Sequence, residues 1–458
     1  MIRDNASFRD PSGFVFSHDG IIYRWVSPNY VPKYRHLMDS GLYRALVDRR
    51  LLVAHKEVTL DDFDAGEGIV IKPKRIPFIS YPYEWCFDQY RDAALATMDI
   101  QRIALEYDMV LKDASAYNIQ FISGYAVLID TLSFDYYKEG SPWGAYGQYC
   151  RHFLAPLMLM AHIDQRLSKL MQSFIDGIPL DLASTMLKGH GGGFAAQMHI
   201  HTHAKAISKH NNDGKKGNVK QNGMKRSALV AFCNSLRNDT AKLWVKQGPS
   251  EWGDYYSNTN YTNAATDRKA NIVRELLSMI QPLKNVWDLG ANDGRYSRIA
   301  EVFGAHVVAF DIDANAVTQN WESVKDSHEK LLPLILDIST PSPAIGFGNE
   351  ERNTIGQRQH PNCIMMLALI HHMAISNNLP FERIAAWIAG MTDNLIIEFV
   401  PKDDSQVQTL LATREDIFPD YDEDHFESAF EEFFEMTQKT QIEGSKRTMY
   451  LWTRKEAL

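Results

Sequence analysis

The second half of the chain alternates short, continuous apolar runs with amphipathic segments, and this pattern restricts the fold more than any other feature. The apolar runs are NVWDLG, HVVAFDI, LPLILDI, NCIMMLAL and NLIIEFV, with helical patterns such as ANAVTQNWESV between them. Because parallel strands need a crossover connection, this alternation predicts a mostly parallel sheet with helices on both faces. The final run, FEMTQKTQIEGSKRTMYLWTRK, predicts a closing antiparallel hairpin.

A glycine turn follows the first of these strands. The segment VWDLGANDGRYSRIA places Gly290 and Gly294 in a D-x-G-x-x-x-G pattern between a buried strand and a helix. Small residues let a ligand approach the backbone, and the free N–H groups of the helix start favour a nucleotide-like ligand. Asp311 ends the next strand 21 residues later (311 − 290), near the roughly 20-residue interval at which an acid meets ribose hydroxyls. We therefore predict Asp311 as a ribose ligand.

The turn is acidic and lacks the G-x-G-x-x-G spacing of dinucleotide-binding folds. Its side chains would repel a pyrophosphate but suit a cationic cofactor that carries an amino-acid group. From Trp252 to Leu458 the sequence resembles a class I SAM-dependent methyltransferase, which has a Rossmann-like α/β fold. The resemblance implies that the Asp337 position lies beside adenine and that Asp288 and Gly290 line the methionine part. The predicted SAM-binding residues are Asp288, Gly290, Asn292, Gly294, Asp311 and Asp337. A turn that serves only strand–helix packing is the alternative.

Two adjacent histidines follow the fourth strand, at the edge of the sheet where doubly wound folds bind ligands. Imidazole titrates near neutral pH, so His371 or His372 is a candidate base for an acceptor hydroxyl. Their segment, ALIHHMAISNNLPFERI, is similar to a bacterial group of nodulation-associated methyltransferases. The alternative is that both histidines cap the strand and shape the pocket. Glu398 and Asp403, after the fifth strand, are candidates for the pocket rim.

The first half of the chain contains a second set of candidate catalytic residues. In kinases an Asp that orients the substrate hydroxyl precedes a metal-binding Asn by five positions, and a later Asp binds metal at the phosphates. Asp113 and Asn118 have this spacing in LKDASAYNIQF, and Asp130 ends the apolar run AVLID. These segments resemble aminoglycoside-phosphotransferase-like and protein-kinase-like enzymes. The resemblance implies an α+β kinase-like domain in which Asp113 is catalytic and Asn118 and Asp130 bind Mg²⁺.

The same resemblance implies a phosphate-binding lysine and an acidic partner for it. Lys72 or Lys74, in the strand-like IVIKPK, would contact the nucleotide, and Glu84 would pair with that lysine. The motif departs from the family at three points, because Lys112 precedes Asp113, Thr131 follows Asp130, and no glycine-rich loop precedes Lys72. Three interpretations follow, namely an active phosphotransferase using Mg-ATP, an inactive kinase-like domain, or a chance pattern.

The 458 residues are too many for one hydrophobic core and predict about two domains. We predict a kinase-like domain over residues 1–204, a basic linker with a connecting helix over 205–250, and a methyltransferase domain over 251–458. The aromatic segment EWGDYYSNTNY at the start of that domain is predicted either to close over SAM or to pack against it.

Charge, cysteine content and hydropathy restrict the partners and the compartment. A net charge of −9 argues against nucleic acid as a partner, since the field of the whole chain is acidic. The four cysteines form no C-x-x-C pair, which favours a reducing cytoplasm. We also expect no export signal and no membrane anchor, because the longest apolar run is too short to span a bilayer.

The sequence therefore predicts a SAM-dependent methyltransferase acting on an oxygen or nitrogen of a small molecule or glycan. In a bifunctional version, the kinase-like domain phosphorylates the acceptor that the second domain methylates. The alternatives are an inactive kinase-like domain that recognises the acceptor and a regulatory protein that senses SAM.

Overall fold

The computed structural model describes residues 1–190, 193, 196–202, 224–246, 263–412 and 414–456. Two compact units make up the chain: unit 1 comprises residues 1–247 and 344–352, and unit 2 comprises residues 248–343 and 353–458. The most basic part of the predicted linker, up to residue 223, and the aromatic segment EWGDYYSNTNY lie outside the described residues.

Unit 1 begins with a five-stranded antiparallel sheet in the order β1-β2-β3-β5-β4. Asp19 and Gly20 have positive φ angles and close the β2–β3 hairpin. Two helices lie between β3 and β4 in sequence. The elements are β1 (Ile2–Arg3), β2 (Gly13–His18), β3 (Ile21–Val26), α1 (Val31–Asp39), α2 (Leu42–Asp48), β4 (His55–Val58) and β5 (Ile69–Pro73).

The remainder of unit 1 is mainly helical around two small strand pairs, β6 with β9 and β7 with β8. The elements are α3 (Phe87–Glu106), β6 (Met109–Leu111), β7 (Ile119–Ile122), β8 (Tyr125–Leu128), β9 (Phe134–Tyr136), α4 (Tyr146–Tyr149), α5 (Ala155–His162), α6 (Leu170–Ser173), α7 (Leu180–Met186) and α8 (Arg226–Ala241). Helix α8 packs on α3, so unit 1 extends beyond the predicted boundary at residue 204.

Unit 2 contains a seven-stranded sheet in the order β12-β11-β10-β13-β14-β16-β15. Strands β10 to β14 are parallel, and the last two strands form an antiparallel hairpin beside β14. The strands are β10 (Asn285–Leu289), β11 (His306–Asp311), β12 (Leu331–Ile335), β13 (Cys363–Met366), β14 (Asn394–Phe399), β15 (Phe434–Gln441) and β16 (Thr448–Arg454). The predicted Rossmann-like sheet with a terminal hairpin is therefore confirmed.

Seven α-helices of unit 2 are described: α9 (Asn263–Ser278), α10 (Ser297–Val302), α11 (Ala314–Ser327), α12 (Ile355–Arg358), α13 (Phe381–Ala389), α14 (Ser405–Leu411) and α15 (Glu423–Glu431). The central strands are buried along most of their length, and Trp287, Trp321 and Trp452 are fully buried in the core. Strand β10 pairs with β11 on one side and with β13 on the other. The strand order reverses there, so a crevice opens at its carboxyl end.

Candidate functional site

The turn after β10 passes through three residues in the left-handed backbone region. The φ angles are +76° at Gly290, +52° at Asn292 and +80° at Gly294. A Cβ atom on residue 294 would lie 2.4 Å from Nδ2 of Asn320, so a larger residue does not fit there. The Gly290 N–H donates to the Phe310 carbonyl at 2.8 Å. The glycines thus hold the turn close to the end of β11.

Asp311 links the end of β11 to this turn through hydrogen bonds. It is 8% exposed, and its carboxylate accepts hydrogen bonds from the backbone N–H groups of Asn292 and Asp313, both at 2.8 Å. Burial raises the pKa of Asp311 to about 6, although these hydrogen bonds oppose the rise. The Asp311 carbonyl accepts from Leu336 at 2.8 Å, which brings the partly exposed Asp337 to the same edge of the sheet.

Asp288 is the most deeply buried carboxylate of the glycine turn. It is 2% exposed and accepts a 2.6 Å hydrogen bond from the Ser297 hydroxyl at the start of α10. Burial raises the pKa of Asp288 to about 7, while the Ser297 hydrogen bond and the positive charge of Lys269 act in the opposite direction. A buried carboxylate of this kind suits a cationic ligand group, which would restore its ionised form.

A chain of buried charges runs behind this carboxylate. Lys269 Nζ lies 2.5 Å from Glu398 Oε2, Arg447 Nη1 lies 3.4 Å from Glu398 Oε1, and Arg447 Nε lies 2.8 Å from Asp404 Oδ2. Glu398 is fully buried, and its carboxylate is the member of this chain that contacts both Lys269 and Arg447. Asp403 is instead exposed and pairs with Lys446. Burial is the main influence on Lys269 and lowers its pKa.

The two histidines differ in position although their ring centroids lie only 4.1 Å apart. His371 is 1% exposed, and its Nδ1 is buried without a hydrogen-bond partner among the described residues. Burial lowers its pKa well below the usual range. Burial and then the charge of Arg447 lower the pKa of His372 to about 4, so this imidazole is neutral at physiological pH. A π-helical turn, His372–Ser376, follows.

A cavity of about 330 Å³ connects most of these groups. Its lining contains the predicted residues Asp288, Gly290, Asn292, Asp311, Asp337 and His372. Gly294 and His371 lie outside that lining, since Gly294 shapes the turn and His371 is buried behind His372. The cavity also has an apolar side that includes Ile312, Leu336 and Leu369. Such a mixture of apolar surface and a few convergent polar groups is typical of a small-molecule site.

Lys269 is the charged residue of the cavity lining that the sequence did not predict. It lies on α9, before the first strand of the sheet, in the helical pattern NAATDRKANIVRELLS. A single lysine in an amphipathic helix has the same pattern whether it faces solvent or a buried acid. Its position opposite Glu398 depends on the packing of elements that are distant in the sequence, so no local signal reveals it.

In unit 1, the side chains of Asp113 and Asn118 are in contact. Asn118 Nδ2 donates to Asp113 Oδ2 at 3.1 Å, and Gln148 Nε2 donates to Asp113 Oδ1 at 2.7 Å. Burial raises the pKa of Asp113, and the negative charge of Asp130 raises it further. Among the residues that the structure describes, no three His, Cys, Asp or Glu side chains form a ready metal-ligand set.

Asp130 has close partners of its own. Arg24 Nη1 lies 2.7 Å from Asp130 Oδ1, and the same guanidinium donates to Asp10 at 3.0 Å. The Leu132 N–H and the Ser133 hydroxyl also donate to the Asp130 carboxylate, both at 2.8 Å. Arg24 comes from β3 and its side chain is 12% exposed. It is therefore the cation beside the predicted metal-binding acid.

The predicted phosphate-binding lysines have a different environment. Lys72 and Lys74 are both exposed, on β5 and just after it, and the Lys72 ammonium lies 6.0 Å from the centre of the Tyr23 ring. Glu84 is 1% exposed and its carboxylate accepts a 2.8 Å hydrogen bond from the Tyr81 N–H in its own short helix. Glu84 thus caps its own short helix. The sequence did not predict Arg24 as the cation beside Asp130, because the order of strands in a sheet cannot be read from the sequence.

No protein-family model matches the sequence. The nodulation protein NoeA of Rhizobium meliloti (strain 1021) is 33% identical over 462 aligned residues, which cover 99% of this chain and 96% of that protein. The chain belongs to the NoeA family. The alignment spans nearly the whole length of both proteins, so both units of this NoeA-family chain share the relationship.

Three solved structures resemble part of this NoeA-family chain. The N-methyltransferase NodS from Bradyrhizobium japonicum WM9 is 10% identical, with a TM-score of 0.32 over 42% of this chain and 98% of that one. Magnesium protoporphyrin IX methyltransferase from Synechocystis PCC 6803 is 15% identical, with a TM-score of 0.31 over 44% of this chain and 93% of that one. The bifunctional kinase-methyltransferase WbdD is 14% identical, with a TM-score of 0.30 over 45% of this chain and 43% of that one.

Within the ranges that the structure describes, no helix is both long enough and apolar enough to cross a bilayer.

Proposed function

We propose that unit 2 is a SAM-dependent methyltransferase that acts on an oxygen or nitrogen of a small molecule or glycan. The observation that carries this proposal is the cavity at the carboxyl ends of β10 and β11, where Asp288 and Asp311 lie beside a glycine turn. The Rossmann-like sheet with its terminal hairpin supports the same conclusion. SAM, when bound, supplies a methyl group on a positively charged sulfur.

The side chains of the cavity match the parts of SAM one by one. The Asp311 carboxylate suits a ribose diol, because a carboxylate accepts hydrogen bonds from two hydroxyls. Asp288 suits the cationic amino group, and Lys269, the cationic side chain in the lining, suits the carboxylate at the other side of the same carbon. Asp337, at the end of β12, would accept a hydrogen bond from the adenine amino group.

His372 is our candidate for contact with the methyl acceptor. It lines the cavity and its imidazole is neutral, so it can accept a proton or a hydrogen bond from an acceptor hydroxyl or amine. His371 packs against it and would act by orienting the His372 ring. The protein's main contribution would be to hold acceptor and cofactor in line, with His372 as the proton acceptor.

Calorimetric titration of the full chain with SAM and with its demethylated product tests the proposal. We expect one binding site for each ligand in the chain. Transfer of a radiolabelled methyl group from SAM to an extract of a strain lacking the gene would then identify the acceptor. Lack of binding of either ligand at millimolar concentration would rule out this function.

As a second function, we propose that unit 1 binds Mg-ATP and phosphorylates an acceptor hydroxyl. The observation that favours it is the cluster of Asp113, Asn118 and Asp130 with Arg24 beside Asp130. The oxygen atoms of Asn118 and Asp130 are of the hard type that Mg²⁺ requires, so they fit the metal. Arg24, rather than Lys72 or Lys74, would then face the phosphates.

Two substitutions test this second function in the full chain. Asp130→Ala should abolish Mg-ATP binding, whereas Asp113→Asn should preserve binding and stop transfer, because Asp113 would contact the acceptor hydroxyl. Equal Mg-ATP binding by wild type and Asp130→Ala would contradict the assignment. Absence of any Mg-ATP binding at millimolar concentration would leave unit 1 as a domain that only recognises the acceptor.

A further inference from the structure

Unit 1 contains a second cavity, of about 620 Å³, that shares no residue with the Asp113 cluster. Two helices supply most of its lining with the same spacing, at positions i, i+3 and i+4 of each helix. The residues are Asp99, Arg102 and Ile103 on α3, Asn234, Arg237 and Asn238 on α8, and Arg49 and Leu51 after α2. The two helical faces therefore point at one another across the cavity.

The charges of this lining do not balance. Arg237 forms a bidentate pair with Asp99, with Nε at 2.8 Å from Oδ1 and Nη2 at 3.0 Å from Oδ2. That pair neutralises the acid of the lining, which contains three arginines. Arg102 Nη2 forms a longer ion pair with the same carboxylate, 3.6 Å from Asp99 Oδ1, and Arg49 donates to the Ala45 carbonyl at 2.8 Å. Two positive charges thus remain for a ligand.

Part of the hydrogen-bonding capacity is also unused. The Nε atom of Arg102 is buried and has no hydrogen-bond partner among the residues that the structure describes. A buried donor without a partner is unfavourable, so a ligand that accepts a hydrogen bond from it gains affinity. The amide groups of Asn234 and Asn238 add neutral donors, while Leu51 and Ile103 provide apolar surface beside them.

We propose that this cavity is a binding site for a phosphate or sulfate ester of a small molecule. Guanidinium groups bind tetrahedral oxyanions through paired N–H donors, and the two positive charges that remain suit a doubly charged phosphate ester or a singly charged sulfate ester. The asparagine amides would bind hydroxyls of the ligand body, and the apolar residues would contact its carbon skeleton. The site belongs to unit 1 alone and does not depend on phosphate transfer at Asp113 or on SAM binding in unit 2.

The test is calorimetry of the full chain with inorganic phosphate, sulfate and chloride at equal ionic strength. We expect saturable binding of phosphate, of sulfate or of both, and none of chloride. Binding of phosphate alone indicates a phosphate ester, and binding of sulfate alone indicates a sulfate ester. Arg102→Gln should weaken the binding at least tenfold. Arg44→Gln is the matched control, because Arg44 is an exposed arginine of α2 that pairs with Asp48.

A gain-of-affinity variant separates this proposal from a folding defect. Asp99→Asn removes the acid that occupies Arg237, so a third guanidinium becomes available and oxyanion binding should become tighter. A misfolded variant would lose binding instead. Equal affinity of wild type, Arg102→Gln and Asp99→Asn, or binding that chloride matches, would overturn the proposal.

Discussion

Asp311 is a single side chain with two tasks, since it holds the glycine turn through backbone N–H groups and faces the cavity. We predict that Asp311→Asn weakens binding of the demethylated cofactor by about 10- to 100-fold, because a charge-assisted hydrogen bond contributes about 1.5–3 kcal/mol. Calorimetry on the full chain measures this loss. Asp326→Asn, an exposed acid on α11, is the control and should bind like the wild type.

His372 gives a prediction about pH as well as about rate. We expect His372→Ala to lower turnover by roughly 100-fold or more without changing cofactor affinity. Because the pKa of His372 is about 4, the imidazole is neutral above that pH and protonated below it. The wild-type rate should therefore be flat between about pH 5 and pH 8 and fall only near pH 4. An acidic limb near pH 6.5 that disappears in His372→Ala would contradict the lowered pKa, and unchanged turnover in His372→Ala would contradict the assignment of His372 as the proton acceptor.

At the scale of single residues, the sequence predicted side chains that lie at the end of a strand. Asp311 and Asp288 could be named because strand ends and turn spacing are local features. Lys269 and Arg24 could not, because each is defined by an acid from a distant segment. The kinase resemblance implied Lys72 or Lys74 instead, and both are exposed.

Strands β14 and β16 together bury the charges behind the cofactor cavity. Arg447 is 3% exposed and lies just before β16, where it contacts Glu398 and Asp404. We predict that Arg447→Met destabilises unit 2 by about 3–5 kcal/mol, since it leaves buried carboxylates without one of their cations. Urea denaturation followed by tryptophan fluorescence measures the change.

The neighbouring residue provides the control for that measurement. Lys446 also forms an ion pair, with Asp403, but both side chains are mostly exposed. Exposed pairs contribute about 0–1 kcal/mol, so Lys446→Met should leave the unfolding transition almost unchanged. Equal effects of the two substitutions would show that burial does not decide the contribution of Arg447.

The elements of unit 2 were easier to predict than those of unit 1. Five buried parallel strands appear in the sequence as continuous apolar runs, and the hairpin follows from the turn at Glu443-Gly444. Unit 1 instead has short antiparallel strands, and strands that are not consecutive pair in it, as in β3 with β5 and β6 with β9. Its sheet order decides that Arg24 on β3 meets Asp130, and periodicity carries no information on that order.

On the scale of the whole molecule, buried ionisable groups make stability depend on pH. In unit 1, burial lowers the pKa of His152 to about 3, from an unfolded value of about 6.5. The folded state then binds fewer protons than the unfolded state between these values, so this group's contribution to stability is lost as pH falls. Asp288 and Asp311 in unit 2 have raised pKa values and contribute with the opposite sign.

We predict that His152→Gln makes the free energy of unfolding less steep in pH between about 6.5 and 3. The wild-type slope should exceed that of the variant by up to about 1.4 kcal/mol per pH unit, the value for one proton. Denaturation curves at several pH values measure it, and His190→Gln, at an exposed histidine, should keep the wild-type slope. Parallel curves for His152→Gln and wild type would contradict the prediction.

Residues 344–352 belong to unit 1 although the chain before and after them belongs to unit 2. Within unit 1, Glu351 accepts from Arg9 at 2.5 Å, and the Arg352 guanidinium lies 4.4 Å from the centre of the Tyr117 ring. The polypeptide therefore passes between the units three times, and no single cut yields both of them intact. A truncation at residue 247 would remove Glu351 from Arg9 and Arg352 from Tyr117, so the contributions of the two units have to be separated by point substitutions rather than by dissecting the gene.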